Sequence, residues 1–409
     1  MSTLAILGGA PVRERPFTNW PVHGPEEEAA LLGVLRSGRW SALSGEQVAR
    51  FEAAFAAAHD ARHGVAVSSG TVALRVALLA AGVRAGDEVI VPAYTFQATA
   101  SAVVEANARP IFADIDAGPC TLSADAVERA ATPRTRFLLP VHFAGLPADM
   151  DRIQEVAGRL GITVIEDAAQ AHGAQHRGCG VGSIGAMGCF SFQASKNVNA
   201  AEGGIILTNN DHLAARCRAI LNCGRGADAD PTLLTIFGNY RMTEFQGAVL
   251  NCQLARQPEQ AARRESNAAL LRHALSGVPG IAVQTRPEYV TRHAYHLFAF
   301  RFDPEQWGVP REKAIRALNA EGIPATEGYT APLYRQPMFS RQAFGPYSGA
   351  EGGSVDWAER CPVAERVCSR EGAWIYQKCL LGSEDDTLDV ARGFEKVWDL
   401  RGDLGKVEI

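Results

Sequence analysis

A chain of 409 residues is longer than one hydrophobic core usually grows, so two packed units are expected. A net charge of only −5, an ordinary apolar fraction of 47% and the lack of any block of like charges exclude nucleic acid and a membrane surface as partners and point to a small substrate. Nine scattered cysteines, an odd number without short paired spacings, offer neither a disulfide framework nor a zinc motif, so no metal is expected and the compartment reads as a reducing cytoplasm.

In chain order, residues 1–24 carry no leader pattern and are rich in Gly and Pro, an irregular arm of the kind that reaches across a dimer. Gln47 to His59 reads as an amphipathic helix through Val48, Phe51 and Phe55. From Gly64 to about Thr208, β-rich runs at 64–68, 88–91, 110–114, 136–141, 162–166, 188–192 and 204–208 alternate with helical patterns, the mark of βαβ units. Of the intervening helices, 70–81 is apolar almost all round and expected to be buried, and 149–160 sets Met150, Ile153, Val156 and Leu160 on one face. A long helical pattern from Arg241 to about Leu275 is interrupted near Pro258, and beyond it the run Tyr295 to Phe300 mixes with helices near 310–320 and 385–400. The expected architecture is α/β: a large unit, residues 1–255, with a mostly parallel mixed sheet between helices and the N-terminal arm, and a smaller α+β unit, 256–409. A site between them is expected, and no apolar run is long enough to span a bilayer.

Two strand ends carry the chemistry. The apolar run Cys189-Phe190-Ser191-Phe192 leads into Gln193 and Lys196, and the run Thr163-Val164-Ile165-Glu166 delivers Asp167 and, three residues on, Gln170. Lysine and carboxylate together are what pyridoxal phosphate needs: the amine condenses with the cofactor aldehyde, and the negative charge keeps the pyridine nitrogen protonated. Asp167 alone would equally serve as a helix cap. Ser68-Ser69-Gly70-Thr71, between a strand and a helix, is either a phosphate cradle or a plain turn capped by Ser69 or Thr71. Phe96, after Val91-Pro92-Ala93-Tyr94-Thr95, is either a ring stacked on a flat cofactor or a core aromatic, with Tyr94 as the alternative stacker.

Taken with Phe51-Glu52, Pro140-Val141-His142-Phe143-Ala144-Gly145, Glu166-Asp167-Ala168-Ala169-Gln170-Ala171-His172-Gly173, Glu202-Gly203-Gly204 and Gly238-Asn239-Tyr240-Arg241-Met242, these segments resemble the DegT/StrS family of pyridoxal-phosphate-dependent sugar and cyclitol aminotransferases, a fold type I group, over nearly the whole chain. The resemblance implies catalytic roles for Lys196, as cofactor anchor, and Asp167, facing the pyridine nitrogen. It also implies Gln170 near the phenolic oxygen, Ser69, Gly70, Thr71 and Ser191 on the phosphate, Phe96 on the ring, and Asn239 reaching the phosphate from the second subunit of a homodimer with shared sites. Lys196 sets the chain apart from the dehydratase branch, which has histidine there. Ser191-Phe192-Gln193, in place of the Ser-Phe-His of many nucleotide-sugar members, is similar to scyllo-inosose aminotransferases and aminohydroxybenzoate synthases. Ala201 stands where the family pattern leads one to expect Gly or Ser.

The implied reaction is ping-pong transfer of an amino group from glutamine or glutamate to a keto-cyclitol or keto-sugar in aminocyclitol or aminosugar biosynthesis. Gln193, Arg241 for a donor carboxylate, and His296, Tyr329 and Tyr334 for acceptor hydroxyls are the candidate substrate contacts, with structural roles as their alternative. Two rivals are an aminohydroxybenzoate synthase-like dehydration and aromatisation on the same lysine, and a non-catalytic cofactor-binding regulator.

Overall fold

The computed structural model describes residues 3–226, 230, 232–233, 235–341 and 356–407. Strands β1 (His63–Val67), β2 (Glu88–Pro92), β3 (Arg109–Ala113), β4 (Thr135–Leu138), β5 (Thr163–Asp167), β6 (Gln175–His176), β7 (Cys179–Gly180), β8 (Met187–Ser191) and β9 (Gly204–Thr208) come first. They are followed by β10 (Ile281–Val283), β11 (Val290–Arg292), β12 (Leu297–Phe302), β13 (Ala325–Thr326) and β14 (Gly372–Tyr376). Seven of them form one sheet in the order β1-β9-β8-β5-β4-β2-β3. The pairs β2/β3, β2/β4, β4/β5 and β5/β8 are parallel, and β9 runs antiparallel to both β1 and β8.

Its strands are continuous apolar runs because helices cover both faces. Helix α1 (Pro25–Ser37) packs on the later long helix Glu244–Leu275, and α2 (Gln47–Ala58), α3 (Gly70–Ala80), α4 (Ala98–Glu105), α5 (Ala124–Ala130), α6 (Met150–Leu160) and α7 (Asp211–Leu221) surround the sheet. Helix α3 packs apolar groups on nearly every side, Ala73, Leu74, Val76, Ala77 and Leu78 being buried, as its all-round pattern requires. Helix α6 begins at Met150, with the Asp149 carboxylate accepting from the Arg152 N–H as its cap. Strand β4 ends at Leu138, three residues short of the expected run, since Pro140 has no N–H to continue a ladder.

Helix α8 (Glu244–Leu275) is unbroken. The expected interruption at Pro258 does not occur: Leu250 and Gln253 before the proline and Arg264, Asn267, Ala268 and Leu271 after it are buried, and packing on both sides outweighs the lost hydrogen bond. Beyond α8, strands β10-β12-β14-β13 form a second, antiparallel sheet. Phe298, Phe300 and Phe302 of β12 share a core with Trp307, Ile315 and Leu318, and with Phe394 of the helix Glu384–Asp399.

The N-terminal arm folds back on this second sheet of its own chain. Leu4 is fully buried in that core, the N–H groups of Ala5 and Val12 donate to the buried Glu321 carboxylate, and Arg13 pairs with Asp386 and Asp389 at 2.8 Å each. An apolar side chain and a cation matched to buried acids hold it there, where sequence alone suggested a dimer arm. Among the described residues no helix is long and apolar enough to cross a membrane.

Candidate active site

The parallel strands β2, β5 and β8 deliver their C-terminal ends to one edge of the sheet, where open α/β sheets bind ligands. A cavity of about 460 Å³ opens there and is closed from the other side by the second sheet. Ser69, Gly70, Thr71, Phe96, Asp167, Gln170, Ser191, Gln193, Lys196, His296 and Tyr329 all line it. Asn239, Arg241 and Tyr334 do not.

Lys196 lies in the turn after β8 and is half-buried, and burial brings its amine down to about 8 against the opposing pull of Asp167. Its side chain makes no hydrogen bond among the described residues, so the amine is available as a nucleophile near neutral pH. The turn is held from outside: the Trp20 indole N–H donates to Ala194 O at 2.9 Å, and Gln193 Oε1 accepts from the Ser195 N–H and hydroxyl. Ala201, across the turn, takes φ +64°, a conformation in which a Cβ is strained and which glycine adopts freely.

Asp167 is buried, and burial raises its carboxyl above the ordinary range. The Thr99 hydroxyl donates to one oxygen at 2.7 Å and the Ala169 N–H to the other at 3.2 Å, both drawing the pKa back down. Glu166, its neighbour, turns to the opposite face, where it meets His142 at 2.9 Å and accepts from the N–H groups of Gly182, Ile184 and Gly185. Burial pushes Glu166 upward, but these bonds and the His142 charge outweigh it and hold the carboxyl below its ordinary value. Gln170 fixes its Oε1 on the Ala144 N–H at 2.7 Å, and its Nε2 stands 3.5 Å from the Tyr329 hydroxyl, turned toward the cavity side.

Both readings of the Ser69 turn hold together: Ser69 Oγ caps α3 on the Val72 N–H, and the next N–H groups, of Gly70 and Thr71, open the helix without intrahelical partners. Gly70 is needed for this closeness, since a Cβ there would lie 2.6 Å from Ser191 Cβ. Phe96 is 61% exposed, a free ring face at the cavity and no core residue, whereas Tyr94 is buried edge-on against Phe143 and Tyr329. His296 is buried with Nδ1 3.3 Å from Asn197 Oδ1, and burial keeps it well below its usual pKa and therefore neutral.

The remaining candidates are elsewhere. Arg241 donates to Asn222 Oδ1 at 2.8 Å, the Tyr334 hydroxyl donates to Glu365 at 2.7 Å beneath Phe112 and Trp357, and Asn239 is exposed beside the Asn222 bridge. Sequence reasoning missed Thr99, Glu202, Trp374 and Tyr376, all of which line the cavity. Trp374 and Tyr376 come from β14, and the alternation in Ala373-Trp374-Ile375-Tyr376 was the available signal. For Thr99 the only hint was its place one turn after Phe96.

A phosphorylated pyridine aldehyde fits these residues: an unbonded, partly desolvated amine, a buried carboxylate suited to a cationic ring nitrogen, an exposed aromatic face, and a helix N-terminus whose glycine admits no side chain. Residues 21–371 match the DegT/DnrJ/EryC1/StrS aminotransferase family. The chain is 40% identical to the L-glutamine:2-deoxy-scyllo-inosose aminotransferase of Streptomyces kanamyceticus over 98% of each chain. It is 38% identical to the protein of the same name from Micromonospora echinospora, over 98% of this chain and all of that one (100%). The solved structure of 3-amino-5-hydroxybenzoic acid synthase superposes with a TM-score of 0.86 at 34% identity, covering 94% of this chain and 99% of that one. The chain belongs to the DegT/DnrJ/EryC1/StrS aminotransferase family, a fold type I, pyridoxal-phosphate-dependent enzyme.

Proposed function

We propose that this aminotransferase takes its amino group from glutamine, with glutamate as the alternative donor, and passes it to a keto-cyclitol of the scyllo-inosose class, or to a keto-sugar, in aminocyclitol or aminosugar biosynthesis. The observation that carries the reading is the cavity in which Lys196 stands with Asp167, Gln170 and the Ser69–Thr71 turn, in a chain so similar to scyllo-inosose aminotransferases.

Bound pyridoxal phosphate supplies an electron sink for the carbon that gains or loses the amino group. Lys196 Nζ, with a pKa near 8 and no competing hydrogen bond, takes the proton from the donor's amino-bearing carbon and later returns one to the acceptor. Asp167, fixed by Thr99 and Ala169, would hold a proton on the cofactor's ring nitrogen. Gly70, Thr71, Ser69 and Ser191 would hold the phosphate at the α3 N-terminus, and Phe96 would offer an aromatic face to the ring. Gln193, His296 and Tyr329 are the polar groups left to meet the substrates. Arg241 donates to Asn222 and lies outside the cavity of its own chain. In this reading residues 1–255 and 256–409 act as two units closing on the site, Asn239 completes the phosphate site of a second subunit in a cytoplasmic homodimer, and Asn239 owes its exposure to that role.

The test is absorbance from 300 to 500 nm of the wild type and Lys196→Ala, before and after glutamine or glutamate, followed by a panel of keto-cyclitols and keto-sugars with product analysis. A cofactor band that the donor bleaches in the wild type alone, and that a keto-cyclitol restores, is the expected result. A band that no donor bleaches would sink the transamination reading. The resemblance in three dimensions to 3-amino-5-hydroxybenzoic acid synthase favours one second reading, dehydration with aromatisation, for which an aminoshikimate-like substrate would yield an aromatic product.

A further inference from the structure

Asp149 and Asp151 open helix α6, and His176 lies on β6, the first strand of the short hairpin beyond the active-site segment Asp167–Gln170. One donor atom of each comes together, all within 4.8 Å of one another. His176 is only 3% exposed, and its Nε2 is shut off from solvent without a hydrogen-bond partner. A buried imidazole with an unbonded ring nitrogen, one of whose nitrogens converges on two carboxylates, is short of a cation, and the chemistry of that donor set selects one.

We infer that Asp149, Asp151 and His176 form a binding site for a borderline divalent transition ion of the zinc class, one that ties the β6–β7 hairpin to the start of α6. Imidazole nitrogen in the donor set suits zinc and its transition-metal neighbours rather than calcium or magnesium, which favour oxygen alone. Around an ion with bonds of about 2.0–2.2 Å the donors lie roughly 3.5 Å apart, so they must draw in by about 1 Å. The two aspartates supply that movement, since Asp151 is exposed and Asp149 partly so. Asp149 caps α6 through one oxygen, on the Arg152 N–H, and the other remains for the ion.

One cation already competes. Arg177 Nε donates to Asp151 Oδ2 at 2.5 Å, but both side chains are more than half exposed and such pairs are weak. The site escaped the sequence reading because its ligands come from two segments of unrelated periodicity. Cys179, opposite His176 in the hairpin register, is not among the converging donors and serves as a control.

The test is calorimetric titration of the holoenzyme with zinc chloride. One ion per chain is expected, bound at least about tenfold more weakly by Asp151→Asn and by His176→Gln. Arg177→Ala, which removes the competing cation, should bind more tightly, and Cys179→Ser should be unchanged. Aminotransferase turnover of Asp151→Asn should equal that of the wild type. The inference fails if no stoichiometric ion binds, if Asp151→Asn binds like the wild type, or if Cys179→Ser abolishes binding. Arg177→Ala keeps the test decisive should His176→Gln misfold.

Discussion

Glu166 and Asp167 are adjacent carboxylates with opposite tasks, because successive residues of a strand face opposite sides. Glu166, on four hydrogen bonds, is a structural anchor whose folded pKa lies below 4.5. Its stabilisation is therefore fully present above that pH and is lost as pH falls through the lower folded value. Glu166→Gln should cost about 3 kcal/mol at pH 7, and the gap to wild type should narrow below pH 4.5, as read from urea midpoints across pH. A constant gap would refute the assignment. Asp167 depends on Thr99: Thr99→Val removes a bond to a buried charged group and should lower kcat/KM by ~10- to 100-fold, with Thr99→Ser restoring most of it. Wild-type kinetics in Thr99→Val would dismiss that role. Ala201, at φ +64°, should prefer glycine: Ala201→Gly trades about 1 kcal/mol of strain against a smaller gain in unfolded-chain entropy, so a slight rise in denaturant midpoint is expected.

At the scale of elements, what the sequence disclosed follows from how each element is covered. Strands of the large sheet are apolar runs closed by turn residues, so β1, β2, β5, β8 and β9 were legible within a residue or two, and with them the strand ends that carry Asp167, Ser191 and the Phe96 segment. Side chains that reach the cavity from far along the chain were not. Trp374 and Tyr376 sit on a five-residue strand whose partner β12 lies some seventy positions earlier, and no local pattern announces that pairing. Tyr334 and Arg241 lie outside the cavity of their own chain for the converse reason: a phenol and a guanidinium near turns look functional until their partners Glu365 and Asn222 are known. Pro258 misled because the local rule is sound and the tertiary packing overrides it. The proline is exposed in an intact helix, so Pro258→Ala should restore a backbone bond and raise stability by about 2 kcal/mol, measured as a higher denaturant midpoint with unchanged turnover. No gain would mean that the helix has fully relaxed around the ring.

For the molecule as a whole, the arm joins what the two sheets would otherwise leave loosely coupled. Leu4 and Arg13 dock on the second sheet and its helix, while Trp20, a few residues on, holds the Lys196 turn and lies over the Arg264 guanidinium at 5.3 Å. One chain thus braces its own lysine from both sheets, yet the phosphate end of the cavity lacks the Asn239 that the family pattern assigns to it. Asn239 is exposed, and Leu31, Leu35, Trp40, Leu43 and Ile236 are large apolar side chains left open to solvent. If a second copy covers such groups and lends its Asn239, each site draws on two chains. Lys196→Ala and Asn239→Ala should then each be inactive or nearly so as pure proteins. In a coexpressed equal mixture, half the dimers are hybrids, and each hybrid holds one site with both defects and one with neither. About a quarter of the wild-type rate should therefore return, against none for simple addition of the two variants. A mixture no faster than the sum of its parts would place Asn239 on its own chain's site, or on no site, and the shared-site dimer would have to be abandoned.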